Sequence, residues 1–349
     1  MSTPIASPAA QAIAPTAPPT LPRPSADDFA AVLERGAFAA LEQFGIVDVT
    51  GADAATFLHG QLTNDVEHLD AASARLAGYC SPKGRLLASF LAWRAGHDVR
   101  LLVSKDVQPA VQKRLSMFVL RAKAKLADAS GALVAIGFAG DVRAALSGIF
   151  DALPDGIHTK VDAPAGALMR LPDAAGRARY CLWIATRAEF DARLPALEAA
   201  LPRVSAAVWD WLDVRAGEPR ITQPAVEQFV PQMVNFDVIG GVNFRKGCYP
   251  GQEVVARSQY RGTIKRRTAL AHVAAGTDAA HAGVELYHSD DPGQPCGMIV
   301  NAAAAPEGGV DALVEIKLAA LGNGSVHLAS ASGPTLAFLP LPYALPVEA

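Results

Sequence analysis

The sequence predicts an α+β protein whose last quarter is an antiparallel β module. Three observations carry that assignment. Residues 77–118 read as hairpins alternating with helices, residues 132–200 repeat that texture, and from about Gly262 onward six short strands follow one another between Gly, Pro and Asp clusters. A doubly wound parallel sheet would instead alternate single strands with crossover helices.

Taken in order, residues 1–24 are rich in Pro and Ala, which remove helix donors and offer little surface to bury, so they are expected to form a disordered tail. They have neither the charged start nor the leucine-rich stretch of a secretion signal. DDFAAVLERGAFAALEQFGIVDVTG predicts a short amphipathic helix and then a strand over Phe44 to Val49. TGADAATFLHGQLTNDVEHL predicts a helix from a capping Asp53 to Gly60, with a turn at Asn64 and Asp65. LAGYC and LLASFLAW are strands joined by the turn SPKGR, HDVRLLVS is a third strand, and Asp106 to Phe118 has a helical period. The strand GALVAIGFAG, a helix from Asp141, the strand RARYCLWIA and a helix from Glu189 to Ala200 follow. VSAAVWDWLDVRAGEPRI holds a further helix, with Trp209 and Leu212 on one face, that ends near Gly217. The last strands are RRTALAHVAA, GVELYHS, GMIVNAAAA, DALVEIKLAAL, VHLASA and PTLAFLPL, at the spacing of a small barrel or sandwich.

Bulk composition narrows the function. At 349 residues, 51% of them hydrophobic, the chain is expected to form two or three domains. No apolar run approaches the roughly 20 residues that cross a bilayer, so no membrane partner is expected. Cys80, Cys181, Cys248 and Cys296 are 101, 67 and 48 residues apart. That matches no CxxC zinc or cluster spacing and is too sparse for a disulfide scaffold, so reduced thiols in the cytoplasm are the expectation and no metal site is assigned. The net charge of -3 gives no general attraction to nucleic acid. Between residues 245 and 267, however, Arg245, Lys246, Arg257, Arg261, Lys265, Arg266 and Arg267 face one anion, Glu253. Such a patch reads as the site of an anionic ligand, although a solvated basic loop gives the same count.

FRKGCYPGQEVVARSQYRG sets Cys248 inside that patch. Nearby cations and a helix N-terminus both favour the thiolate form of a cysteine. Arg245, Lys246 and Arg257 supply the cations; Pro250 and Glu253 suit the first turn of a helix starting just beyond the thiol. An inert cysteine in a tight turn is the plain alternative. The density of cations and glycines favours a functional thiol without choosing between attack, redox and metal contact.

KGCYPGQE strongly resembles the signature of the YgfZ-type folate-binding proteins, relatives of the glycine-cleavage aminomethyltransferase and of the assembly proteins that mature iron-sulfur enzymes. TGADAATFLHGQLTNDV, CSPKGR, RAGEPRI, QFVPQMVNFDVIGGVNFRKGC and VARSQYRGTIKRR resemble further family blocks in family order, from about residue 40 to 270. The resemblance implies a three-lobed ring with a central folate channel. Its first domain is discontinuous (residues 25–45 and 132–258), the second is α+β (46–131), and the third is a C-terminal antiparallel β-barrel (259–349). It further implies that Phe44 and Trp209 border the channel, where an aromatic face can stack on a pterin. Lys246, Gly247, Tyr249, Gly251, Gln252, Glu253 and Arg257 are the other candidates for contact with folate, and Cys248 is the candidate catalytic thiol. The aminomethyltransferase branch carries an acidic pair shortly after the Lys-Gly turn. Here Ala88 and Ser89 stand in those places and neither is anionic, so glycine-cleavage activity is not expected.

The leading expectation is therefore a protein that binds tetrahydrofolate, or a one-carbon derivative of it, and assists iron-sulfur client enzymes, including those that modify tRNA. A folate-dependent one-carbon transferase using Asp65 or Glu253 is the alternative, and a structural adaptor with an inert Cys248 is a third. Direct tRNA binding is not expected, because the basic segment lacks interleaved aromatics and the remaining charge is -9.

Overall fold

A computed structural model describes residues 21–184, 186–260 and 262–346, so the expected tail lies outside the described residues up to residue 20. The chain runs α1 (Ala26–Ala30), β1 (Ala37–Ala40), β2 (Phe44–Thr50), α2 (Ala54–His59), β3 (Ala74–Cys80), β4 (Leu86–Ala95), β5 (Asp98–Ser104), α3 (Gln108–Met117) and β6 (Lys125–Asp128). It continues through β7 (Val134–Ala139), α4 (Arg143–Ser147), β8 (Lys160–Ala163), β9 (Gly166–Ala174), β10 (Arg177–Ile184), α5 (Arg187–Ala200), α6 (Ala206–Arg215) and α7 (Gln252–Tyr260). Last come β11 (Arg266–Val273), β12 (Glu285–His288), β13 (Asp291–Ala304), β14 (Val310–Lys317), β15 (Val326–Leu328) and β16 (Leu336–Leu339).

These strands form three sheets, ordered β3-β4-β5-β2-β6, β1-β7-β10-β9-β8 and β15-β12-β13-β14-β11-β16. β1 joins the second sheet across from β7, far along the chain, while β2, three residues later, joins the first. The α+β class with a terminal antiparallel sheet follows the sequence pattern closely. Val134 to Ala139 is buried at every position, the pattern of a strand covered on both faces. Among the described residues no helix is long and apolar enough to cross a membrane.

α6 is where the sheets meet. Its Trp211 donates its indole N–H to Asp311 of β14 at 2.9 Å, and Arg215 and His272 converge on the same carboxylate at 3.3 and 2.9 Å. A buried carboxylate with three donors is satisfied, so it holds helix and terminal sheet in one geometry. Beyond it, Tyr343 near the end of the chain donates to the carbonyl of Gly217 at 2.9 Å. The expected helix from Asp141 starts at Arg143, and Asp53 caps α2 by position without a side-chain bond to that helix. Its carboxylate instead accepts from the backbone of Lys123 at 2.7 Å.

Replacing Asp311 with Ala leaves Trp211 Nε1, the Arg215 guanidinium and the His272 ring without their shared partner. Chemical denaturation is expected to show a loss of about 2–4 kcal/mol in unfolding free energy, and Asp311→Asn a smaller one.

Candidate functional site

Phe44 and Trp209, widely separated in sequence, line one narrow cavity of about 70 Å³ together with Ser89, Cys181, Asp213 and Arg220. Strand periodicity explains part of the surroundings: Cys181 of β10 lines the cavity, and Arg179 lies on the same face of that strand. Helix periodicity explains another, since Trp209 and Asp213 stand one turn apart on α6. A Cβ on Gly137 would lie 2.5 Å from the Trp209 ring, so that glycine is what lets the indole lie against β7. Trp209 is only 3% exposed, and the Arg179 guanidinium sits 5.4 Å from its ring centroid. Phe44 is the more open of the two, with Arg220 4.6 Å over its ring.

The charge in this wall was not read from the sequence. Arg179 has no exposed side-chain surface; it reaches Asp213 at 2.6 Å, Glu218 through its other terminal nitrogen, and the Pro172 carbonyl at 2.8 Å. Arg220 reaches Asp210 at 2.7 Å, while its Nη1 is buried without a hydrogen-bond partner. One cation between two carboxylates leaves the pair unequal. Burial pushes the Asp213 carboxyl up to about 6 against the pull of Arg179 and Arg220, with Glu218 and Asp210 adding to the rise. Burial also acts on Glu218, but Arg179 and His158 outweigh it and hold that carboxyl below its ordinary value.

Leu76 lines both this cavity and an adjoining polar bay of about 590 Å³. The bay presents Asp65, Arg75, His158, Arg245 and Tyr260. Asp65 accepts from His59 and His68 at 3.0 Å each. Burial raises its pKa, but hydrogen bonding from His68 and the charges of both histidines more than offset this and hold the carboxyl below the usual range. A carboxylate so held is a weak proton acceptor, which disfavours Asp65 as the base of a one-carbon transferase.

The KGCYPGQE loop lines neither space, apart from Arg245 just before it. Lys246 donates to the carbonyls of His59 and Leu62, the latter at 2.8 Å, and so closes the C-terminus of α2. Burial pulls its ammonium down to about 8 against Asp65 and Cys248, and it lies 5.0 Å from the ring of buried Tyr249. Gly251 has φ +80, and a Cβ there would stand 2.4 Å from the Ser81 oxygen and 2.6 Å from the Gly84 nitrogen. The loop therefore grips the SPKGR turn backbone to backbone, which only glycine permits.

Cys248 is exposed; Cys80, Cys181 and Cys296 are buried. Burial pushes the Cys80 thiol up to about 12 and raises those of Cys181 and Cys296. The helix beyond the motif begins at Gln252, so Pro250 precedes it rather than opening it, and Cys248 lies four residues upstream, outside the short reach of a helix terminus. Gly247 is exposed beside His59, whose Nε2 is 3.5 Å from where a Gly247 Cβ would be. Gln252 is half-buried, and Glu253 and Arg257 are exposed on α7. The basic segment is divided rather than gathered: Arg266 pairs with Glu315 at 2.8 Å and Arg267 with buried Asp237 at 2.6 Å, while Arg261 lies outside the described residues. Ala88 is buried in the core of the first sheet, and Ser89 accepts from the Ile221 backbone at 2.9 Å.

No protein-family model matches the chain. It is 31% identical over 330 residues to the tRNA-modifying protein YgfZ of Sodalis glossinidius, an alignment covering 94% of this chain and 97% of that one. It is 30% identical over 310 residues to the tRNA-modifying protein YgfZ of Serratia proteamaculans, covering 88% and 92%. Among solved structures, the glycine cleavage system aminomethyltransferase T of Bartonella henselae superposes with a TM-score of 0.72 over 90% of this chain and 88% of that one. At 15% identity that likeness shows an aminomethyltransferase-like fold.

Two outcomes follow from this geometry. Gly251→Ala forces a Cβ against backbone at a positive φ and is expected to destabilise the protein by about 2–4 kcal/mol in thermal or urea unfolding. Maleimide labelling of the native protein is expected to modify Cys248 first, and the other three thiols only on unfolding.

Proposed function

The chain belongs to the YgfZ family, and on that premise we propose that its cavity binds a reduced folate and that the protein assists iron-sulfur enzymes, including those that modify tRNA. The observation that carries the folate reading is the cavity wall. An aromatic side chain, two half-buried carboxylates and an arginine nitrogen lacking a partner converge in one narrow slot. A pterin is a flat ring with N–H donors on one edge and a carbonyl acceptor beside them, so carboxylates answer its donors and the free Arg220 nitrogen answers its acceptor. The folate tail then leaves past Leu76 into the bay, where Arg75 and Arg245 face its glutamate carboxylates. The folate supplies one-carbon chemistry when bound. The chain's residues orient the ring, exclude water from it and fix the charge around it.

Cys248 acts apart from the ring. It is the exposed thiol of the four, close enough to Lys246 to act on its charge, and it faces outward where a client enzyme can meet it. With Ser89 in the wall and Ala88 in the adjoining core, where the resemblance places the acidic pair of the aminomethyltransferase branch, the reading is of a folate-binding accessory protein rather than a glycine-cleavage transferase.

Calorimetric titration with 5-formyltetrahydrofolate tests the first half. One site is expected, with Arg220→Met weakening it by about 10- to 100-fold, as for loss of a charge-assisted hydrogen bond; absence of binding to the unaltered protein defeats the reading. Asp213 has a raised pKa, so it is the anion above about pH 6 and neutral below. An anion accepts better from pterin donors, so affinity is expected to fall as pH drops through about 6, and Asp213→Asn to flatten that dependence. Cys248→Ser is expected to leave folate affinity unchanged while lowering the cluster-dependent modified nucleosides of bulk tRNA in a strain relying on this protein. Unaltered nucleoside levels would count for the inert-thiol alternative.

A further inference from the structure

A second run of positive charge lies away from the cavity. No acidic residue stands between Asp106 and Asp128, an interval holding Lys113, Arg114, Arg121, Lys123 and Lys125. Lys113, Arg121, Lys123 and Lys125 are exposed and enter no ion pair among the described residues, with half-buried Ala122 and Ala124 alternating between the last three. At the centre, where α3 ends, Met117 is 60% exposed, Phe118 45% and Leu120 87%. Leu120 is also held at φ +46, a left-handed conformation a leucine adopts at a cost, although its side chain is buried against nothing. The Arg114 guanidinium sits 5.9 Å from the Phe118 ring.

Protection of a sheet edge accounts for Lys125, since β6 is an edge strand and lysines there prevent pairing with other chains. It does not account for three exposed apolar side chains beside it, which invite contact. Five cations and no anion within thirteen residues suit a polyanion better than a protein surface of mixed charge. The remainder of the chain carries about -8, which opposes a flat anionic surface such as a membrane and leaves a narrow polyanion free to grip this segment alone.

We propose that this segment, Lys113 to Lys125, is an RNA-docking surface on which a tRNA lays its backbone across the exposed cations while an unpaired base stacks on Phe118. The proposal rests on the reading that the protein serves tRNA modification and names the partner it touches. It also revises the expectation of no direct tRNA contact, which was formed on residues 245–267. Geometry links it to the cavity: β2 starts at Phe44 in the cavity wall and ends at Thr50, paired with Lys125, about 20 Å away along one strand.

The test is fluorescence anisotropy of a labelled unmodified tRNA transcript with the full chain across a salt series. Four exposed cations predict a slope of log affinity against log salt of about -3, and Arg121→Gln/Lys123→Gln/Lys125→Gln reduces it to about -1 with at least a roughly tenfold loss at about 50 mM salt. Phe118→Ala weakens binding about 5- to 100-fold with the slope unchanged. 5-Formyltetrahydrofolate titration of the same variants stays as in the unaltered protein, so failure at the patch and failure of the folate reading are told apart. Undetectable tRNA binding at low salt, or full tRNA binding by the triple variant, overturns the proposal. So does loss in that variant of binding to phosphatidylglycerol vesicles with tRNA binding intact.

Discussion

A fully buried arginine organises the centre of this molecule. Arg179 projects from β10 into the interior with no exposed side-chain surface, where it is held by Asp213, Glu218 and a backbone carbonyl. Burying a guanidinium costs several kcal/mol, and the geometry around it has to be nearly complete to offset that. The consequence reaches beyond stability. Because both carboxylates come from α6 and the turn after it, the arginine fixes that helix against the second sheet, and with it the position of Trp209. Because one cation serves two anions, Asp213 is left under-compensated and titrates near 6. A hydrophobic replacement of the triad would fold as well or better and would leave the cavity with no such group.

Much of the fold was legible. The buried strands β4, β5, β7, β10 and β14 declare themselves by apolar runs or clean alternation, and the six terminal strands by their regular spacing. What escaped were β1, β6 and β8, and the reason is common to them. Each is an edge strand of four residues. AFAA has the composition of a helix, and KLAD and KVDA are half polar because one side faces solvent. β9 was missed because Arg170 and Pro172 interrupt its pattern.

The site was legible in part, and the boundary is informative. Phe44 and Trp209 came from resemblance, and the fold brings both to one cavity. Its polar half was hidden because Arg179, Asp213 and Glu218 are neighbours only in space. The available signal was a charged residue on the buried face of the strand RARYCLWI, which sequence reasoning passed over as alternation. The basic segment shows the opposite error. Contiguous in sequence, it is divided in space: Lys246 closes a helix, Arg266 and Arg267 are paired internally, and Arg245 faces the bay. A linear charge count measures a patch only where the chain keeps those side chains on one face, which a turn, a helix and a strand in succession do not.

The separation of thiol and cavity constrains any mechanism. Cys248 lines neither the slot nor the bay, so it does not reach a ring held beside Phe44 by direct contact in this conformation. The two are joined instead by a rigid path. Gly251 presses its backbone onto Ser81 and Gly84, that turn leads into β4, and Ser89 of β4 stands in the cavity wall. Backbone contacts tighter than a methyl group transmit displacement rather than absorb it. Gly251 of the signature motif is thus required by its contact with the β3–β4 turn, whatever ligand the cavity takes.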